Sequence, residues 1–305
     1  MSTVSEHIRP TMVAEGPDQG LSPAQLAAKY GLTVSGARPS LPVYVRQLWS
    51  RRHFIMAYAT ARLTAMYTKA KLGQLWQVMT PLLNCAVYYL IFGLLLDTRG
   101  GTADFIQYLC IGVFVFTFTQ NAIMSGTRSI ADNLGLVRAL HFPRACLPIA
   151  FTIIQLQQLL FSMIVLTAIV LFANLPMLSW VLVIPVLLLQ FVFNTGLALA
   201  LARVGAKVTD TAQLMPFITR TWMYASGVMY PMEAFVDKWP GWIQLVLDAN
   251  PAAVYIDLMR FVLLDSVKTD VLPTHVWAWA IGWALVAGIG GFVYFWKAEE
   301  EYGRG

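Results

Sequence analysis

Six stretches of this chain are each apolar for about the thickness of a bilayer, and nothing else in the sequence constrains the fold as tightly. They run Leu75–Leu96, Phe105–Gly126, Leu147–Phe172, Leu178–Ala202, Ala212–Tyr230 and Val276–Trp296. A hydrocarbon core about 30 Å thick takes roughly 20 residues of helix to cross. No water is available at that depth, so each span must satisfy its own backbone, which a helix does. Composition agrees: 58% of the 305 residues are apolar and 12% charged, with a mean hydropathy of +0.62. A water-soluble globule of this size has too little interior to hide so much apolar surface. The expectation is an all-α integral membrane protein with six transmembrane helices per subunit.

Charge placement orients those spans. Of 21 Lys and Arg, sixteen fall before the first span, between spans two and three, after span four or at the C-terminus. The opposite face holds four, Arg99, Lys238, Arg260 and Lys268, and Arg220 lies within span five. Basic loops stay inside, so both termini are expected in the cytoplasm. The net charge of +5 is then a topology signal rather than a nucleic-acid one. The first 40 residues are polar with no apolar h-region, so they read as a flexible cytoplasmic extension (1–40) rather than a cleavable signal. The three cysteines, Cys85, Cys110 and Cys146, lie in or beside apolar runs and read as small apolar filler.

Three segments outside the spans carry pattern. Between Val45 and Ala70, apolar or small residues recur in steps of three and four, with Arg46, Arg51, Arg62 and Lys69 off the stripe. This predicts an amphipathic helix over 41–74 lying in the cytoplasmic interface, or packed on a soluble partner. In the loop after span two, Asp132 or Asn133 is placed to cap a short helix, over about 132–142, that Pro143 ends. Leu134, Val137 and Leu140 are expected on one face of it. That helix reads either as a plug for a groove on a soluble partner or as an ordinary capped loop. On the outer side, residues 239–264 are apolar but interrupted by Asp248, Asn250, Pro251, Asp257 and Arg260. Runs this short re-enter the membrane more often than they cross it. A re-entrant helical hairpin here is either a gate or an interfacial cap.

Catalytic chemistry is hard to place. No His, Cys and carboxylate spacing suits a metal, and G-x-S-x-G, H-E-x-x-H, G-x-G-x-x-G and the P-loop pattern are all missing from the sequence. The expectation is a chain that is no enzyme and binds no cofactor itself. Arg220 needs a cavity or a partner, because a mid-bilayer cation costs at least ~2.5 kcal/mol. It either meets an anionic substrate group or forms a buried pair. Tyr88, Tyr89, Trp222 and Tyr224 lie deeper than an interfacial belt requires, and their flat faces suit sugar rings, so with Arg220 they are candidates for a substrate path.

Several local motifs resemble one family. They are Tyr67-Thr-Lys-Ala-Lys-Leu-Gly-Gln-Leu-Trp76 with Pro81-Leu-Leu, Asn133-Leu-Gly-Leu-Val-Arg-Ala-Leu-His-Phe-Pro-Arg144 with Leu147-Pro148, Thr209-Asp210, Val228-Met-Tyr-Pro231 and Asn250-Pro251. In this order and topology, over residues 40–300, the chain resembles the ABC-2-type permeases of polysaccharide and teichoic acid exporters. Thr68, Thr209 and Arg220 depart from the family's usual residues at those points.

The resemblance implies a six-span domain over 75–305, a homodimer, and two copies of a separate ATPase subunit that binds ATP and Mg. It implies that Asn133, Leu134, Val137, Arg138, Leu140, His141 and Phe142 couple to that ATPase. Arg62, Lys69 and Lys71 would meet a diphosphate or lipid headgroup, and Trp242, Asn250 and Pro251 would form the outer gate. The implied cargo is a polyprenyl-diphosphate-linked glycan crossing the bacterial inner membrane. Its Arg-rich, Ala- and Val-rich composition resembles actinobacterial permeases for cell-wall galactan. O-antigen, teichoic acid, and drug or lipid export on the same scaffold are the alternatives.

Overall fold

The computed structural model describes residues 22, 25–26, 29–30, 38–68, 71–95, 104–140, 142–171, 177–230, 240–267 and 275–302. The chain divides into two units, Met1–Ala37 and Arg38–Gly305. In the first, Ser22 and Gln25 exchange side-chain-to-backbone hydrogen bonds of 2.8 and 3.3 Å. That reciprocal pair is a capping box, which starts a helical turn where the sequence suggested only loose chain.

The second unit is built of helices, with no strand among its described residues. Its helices are α1 (Leu41–Ser50), α2 (Arg52–Tyr67), α3 (Trp76–Tyr88), α4 (Phe105–Arg128), α5 (Leu134–Ala139), α6 (Cys146–Leu171), α7 (Val183–Lys207), α8 (Thr211–Tyr224), α9 (Gly241–Asp248), α10 (Pro251–Leu263) and α11 (Val276–Trp296). Helix α3 continues over Tyr89–Leu95 as a wider-wound π-helical turn.

Among the described residues, five helical segments are long and apolar enough to cross a membrane: Trp76–Leu95, Phe105–Arg128, Cys146–Leu171, Leu178–Lys207 and Val276–Trp296. The sequence predicted a sixth at Ala212–Tyr230. That stretch instead holds the 14-residue helix α8, which stops at Tyr224 because Gly227 takes a left-handed φ of 60° and turns the chain. One more expectation meets a difference in the structure. The interfacial helix expected over 41–74 is broken at Arg51, whose N–H reaches back to both Gln47 and Leu48 carbonyls. Only Ile55, Ala59 and Leu63 of its second half are buried, while Val45, Trp49, Met56 and Met66 stay exposed.

The bundle centres on α4, the most buried of the spanning helices. Helices α7 and α11 make the most extensive pair. Gly196 and Gly291 set their spacing, since a Cβ on either would collide with the other helix's backbone. Small residues that let backbones meet are how helices associate without a hydrophobic drive between them. A second seam joins α4 to α7, where Gly126 lies against Ala198 and Gly205 against Thr127.

Candidate functional site

At the end of the bundle bearing Arg128, Arg144, Arg203 and Lys297, α1 and α2 pack on the termini of α6, α7 and α11. Ile55, Ala59 and Leu63 pack with Cys146, Ala150 and Ile154 of α6. Tyr44, Ile130, Val137, Ala145, Leu147 and Phe295 form a neighbouring cluster. Its polar centre is Glu299, 5% exposed. One carboxylate oxygen accepts from the Tyr44 hydroxyl at 2.8 Å, and the other accepts from the Arg144 N–H at 2.9 Å. The Arg144 guanidinium also donates to the Glu299 backbone carbonyl, and Ala145 N–H donates to Tyr44 at 3.2 Å. Burial pushes the Glu299 carboxyl above the usual carboxylate range, against the pull of the Arg144 amide, Tyr44 and the Arg144 charge. Burial also pushes the Tyr44 phenol up, reinforced by the Glu299 charge. No motif pointed to this node, because a tyrosine, an arginine and a glutamate spread over 255 positions carry no local signature.

The short helix beside it differs from the sequence prediction. It covers Leu134–Ala139 rather than 132–142, and neither Asp132 nor Asn133 caps it. Asn133 is otherwise engaged: its amide donates to Ser129 O at 2.9 Å, and its oxygen accepts from Tyr58 of α2, also at 2.9 Å. Leu134, Val137 and Leu140 do not share an exposure either. Val137 is 5% exposed and turned into the core, whereas Leu140 is 50% exposed, with Leu134 also exposed. Leu140 takes an extended backbone past the helix end. Phe142 lies against Phe54 of α2 with ring centroids 5.3 Å apart. Arg138 is exposed, and His141 lies outside the described residues. The loop is therefore bolted to α2 through Asn133 and Phe142, leaving Leu134 and Leu140 as its outward apolar points.

Of the headgroup candidates, Arg62 lies against the Tyr58 hydroxyl and Lys71 is exposed, while Lys69 lies outside the described residues. The path candidates separate into two groups. Tyr88 of α3 lies within electrostatic reach of both Arg220 and Tyr224 of α8, and its hydroxyl contacts Met223 Sδ at 3.9 Å. Arg220 and Tyr224 are both exposed, along a face of α8 shared with the exposed Phe217. At 1.5 Å per residue, Arg220 sits ~14 Å along α8 from Thr211. Trp222 does not join them. It points the other way, edge-on to Phe116 of α4, and donates to Asn250 at 2.8 Å. Tyr89 leans on Phe105, with centroids 6.4 Å apart.

At the far end, α9 and α10 form the hairpin. Asn250 makes its corner: its oxygen caps α10 through Ala252 N–H, and its amide donates to Ala225 O and Ser226 Oγ, both at 3.0 Å. Pro251 opens α10 at the position where a missing N–H costs nothing. Trp242 on α9 is exposed. The sequence singled out Arg220 as the intramembrane cation, but the deeply buried one is Arg260 on α10, 1% exposed. Its guanidinium lies 3.4 Å from the Tyr108 ring centroid, in a notch left by Gly112. It donates to Tyr108 O, Val228 O and Asp257 at 3.2, 2.9 and 3.3 Å. Backbone carbonyls freed where α8 breaks are thus answered by side chains, as buried non-helical backbone requires.

A third feature went unread in the sequence. Between α3, α4 and α6 lies a cavity of about 150 Å³. Tyr67, Trp76, Phe114 and Phe118 supply aromatic surface, and Gln77, Asn121, Gln155 and Gln158 supply amides. Tyr67 is held at its edge by Gln158, which donates to the phenol at 3.0 Å. Glutamines at these positions fall inside apolar runs, and only the packing of three helices brings them together.

Residues 54–264, more than half of the chain, match the family described as ABC-2 type transporter. The chain is also similar to the O-antigen export system permease protein RfbA of Myxococcus xanthus, at 24% identity over 230 residues, covering 75% of this chain and 87% of that protein. It is similar to a protein of the same name from Klebsiella pneumoniae, at 24% identity over 206 residues, with 67% and 77% covered. A second Klebsiella pneumoniae RfbA matches at 23% identity over 207 residues, covering 67% and 78%.

Proposed function

Because this chain belongs to the ABC-2 type transporter family, we propose that it is the permease of an ABC exporter moving a polyprenyl-diphosphate-linked polysaccharide from the cytoplasmic to the outer face of the bacterial inner membrane. The family makes it a transport subunit of the membrane, and an ABC exporter needs an ATPase partner. In this reading two copies of the chain pair, each with a separate ATPase that binds ATP and Mg, and both termini face the cytoplasm.

The observation that carries the proposal is the convergence of Tyr88, Tyr224 and exposed Arg220 between α3 and α8. In this reading α8 lines the path within the membrane, where an open cation is costly unless an anion or water meets it. A diphosphate travelling on a lipid tail supplies the anion, and the phenol faces suit the sugars next to it. The relatives named for O-antigen export support a glycan cargo, and O-antigen-type polymer is the reading nearest to them. The composition keeps cell-wall galactan as the alternative. Leu134 and Leu140 are the apolar points offered to the ATPase, and the α9–α10 hairpin closes the outer end.

Purification of the tagged chain in mild detergent tests the assembly. Recovery with a stoichiometric soluble ATPase supports it, and recovery alone at concentrations that preserve such complexes counts against it. Loss of surface glycan on deletion of the chain, restored by the wild type, tests the cargo.

A further inference from the structure

The cavity between α3, α4 and α6 holds an unanswered polar group. Gln77 is 7% exposed, and neither its amide nitrogen nor its oxygen finds a hydrogen-bond partner among the described residues. A buried polar group left in that state is destabilising until something bonds it. Its backbone, by contrast, is fixed: Ser162 of α6 donates to Gln77 O at 3.3 Å. Both ends of the side-chain amide are thus left without a partner, in a space that takes about five waters by volume or one sugar ring.

The walls distinguish those occupants. The amides suit water as well, but Trp76, Phe114 and Phe118 add flat apolar faces that water leaves unused. A sugar ring uses both kinds of surface: its C–H faces lie on aromatics and its hydroxyls meet amides that both donate and accept. No charged side chain lies among the described lining residues. An ionised uronate or phosphate placed here loses its water with no counter-charge to replace it.

We propose that this cavity is a subsite for one neutral sugar ring of the exported glycan, with the Gln77 amide as its main hydrogen-bonding contact and Trp76 as its stacking face. This rests on the exporter reading and narrows it to glycans that carry uncharged residues.

The test titrates the full-length chain in detergent with a neutral galacto-oligosaccharide and with an oligogalacturonate of equal length, following tryptophan fluorescence. Expected are saturable binding of the neutral oligomer, binding of the uronate weaker by about tenfold or more, and a loss of similar size in Gln77→Leu. Trp76→Phe should lose most of the fluorescence change. Gln77→Leu should melt no lower than wild type, because it removes the unpaired group. Equal binding of the two oligomers, unchanged binding by Gln77→Leu, or no binding by wild type overturns the subsite, the last leaving the cavity to water. Surface glycan separates the two claims. If deleting the chain leaves surface glycan intact, the exporter reading itself fails. If deletion removes it and Gln77→Leu restores it at the full rate, the subsite alone falls.

Discussion

The indole N–H of Trp222 donates to Asn250 Oδ1 at 2.8 Å, and this bond ties the end of α8 to the corner of the α9–α10 hairpin. The same oxygen caps α10, and the amide nitrogen holds the α8 terminus through Ala225 O and Ser226 Oγ. Asn250 thus answers polar groups on both sides of a corner that has no regular secondary structure to do so. Asn250→Ala should lower stability by about 1–3 kcal/mol, and Trp222→Phe by less, because it leaves the other bonds of Asn250 in place. Thermal unfolding of both single variants and the double variant checks this. A double-variant loss equal to the sum of the singles would show that the two residues act independently.

Arg220 and Arg260 should behave oppositely. Arg260→Ala strips three acceptors of their donor and leaves Asp257 without its cation, at a cost of about 3–5 kcal/mol. Arg220→Gln touches an exposed side chain and should move stability by about 0.5 kcal/mol at most, while lowering glycan export. Melting temperatures and surface-glycan levels, measured on the same two variants, separate the structural cation from the path residue.

Leu140→Asp and Val137→Asp sit three residues apart and should fail differently. Leu140 is half exposed and Val137 is buried, so Val137→Asp should reduce the amount of folded protein. Leu140→Asp should fold normally yet let the partner ATPase hydrolyse ATP without export. Wild-type export by Leu140→Asp would remove the coupling role.

The Glu299 node gives a pH dependence with a defined sign. Its carboxyl is raised from the ordinary value of 4.5, so the folded state holds that proton more tightly than the unfolded chain. Stability from this group is complete below 4.5 and falls as pH rises through the higher folded value. Glu299→Gln should remove that slope. The melting temperature of wild type should therefore decline relative to Glu299→Gln as pH rises from about 4 toward 7. Parallel curves would show that the carboxyl titrates alike in both states.

Gly196→Leu or Gly291→Val should separate α7 from α11, because each new side chain points into the opposing backbone. The expected cost exceeds the 1–3 kcal/mol of ordinary overpacking, read as loss of folded protein in detergent. Gly282→Ala on the same α11, where an added Cβ meets nothing within 4 Å, is the control and should be neutral.

The sequence alone determined the solvent of this protein, its helical class and the family to which it belongs. Runs of about 20 apolar residues and motifs such as Asn250-Pro251 are local in the chain, and the bilayer fixes their meaning by length. The break at Gly227 was also local, but hydropathy averaged across Ala212–Tyr230 concealed it. Direction and pairing were not local. Hydropathy cannot say that Trp222 turns to Asn250 while Tyr224, two residues on, turns toward Tyr88 and Arg220, since that depends on which helix lies on each side of α8. Nor can it separate Arg260, which has three acceptors and a ring around it, from Arg220, which is exposed. Tyr44, Arg144 and Glu299, and likewise Gln77 with Gln155 and Gln158, become sites only when distant segments meet. A polar side chain in an apolar environment takes its role from the partners that packing brings within about 3 Å, and those partners were decided by the tertiary structure.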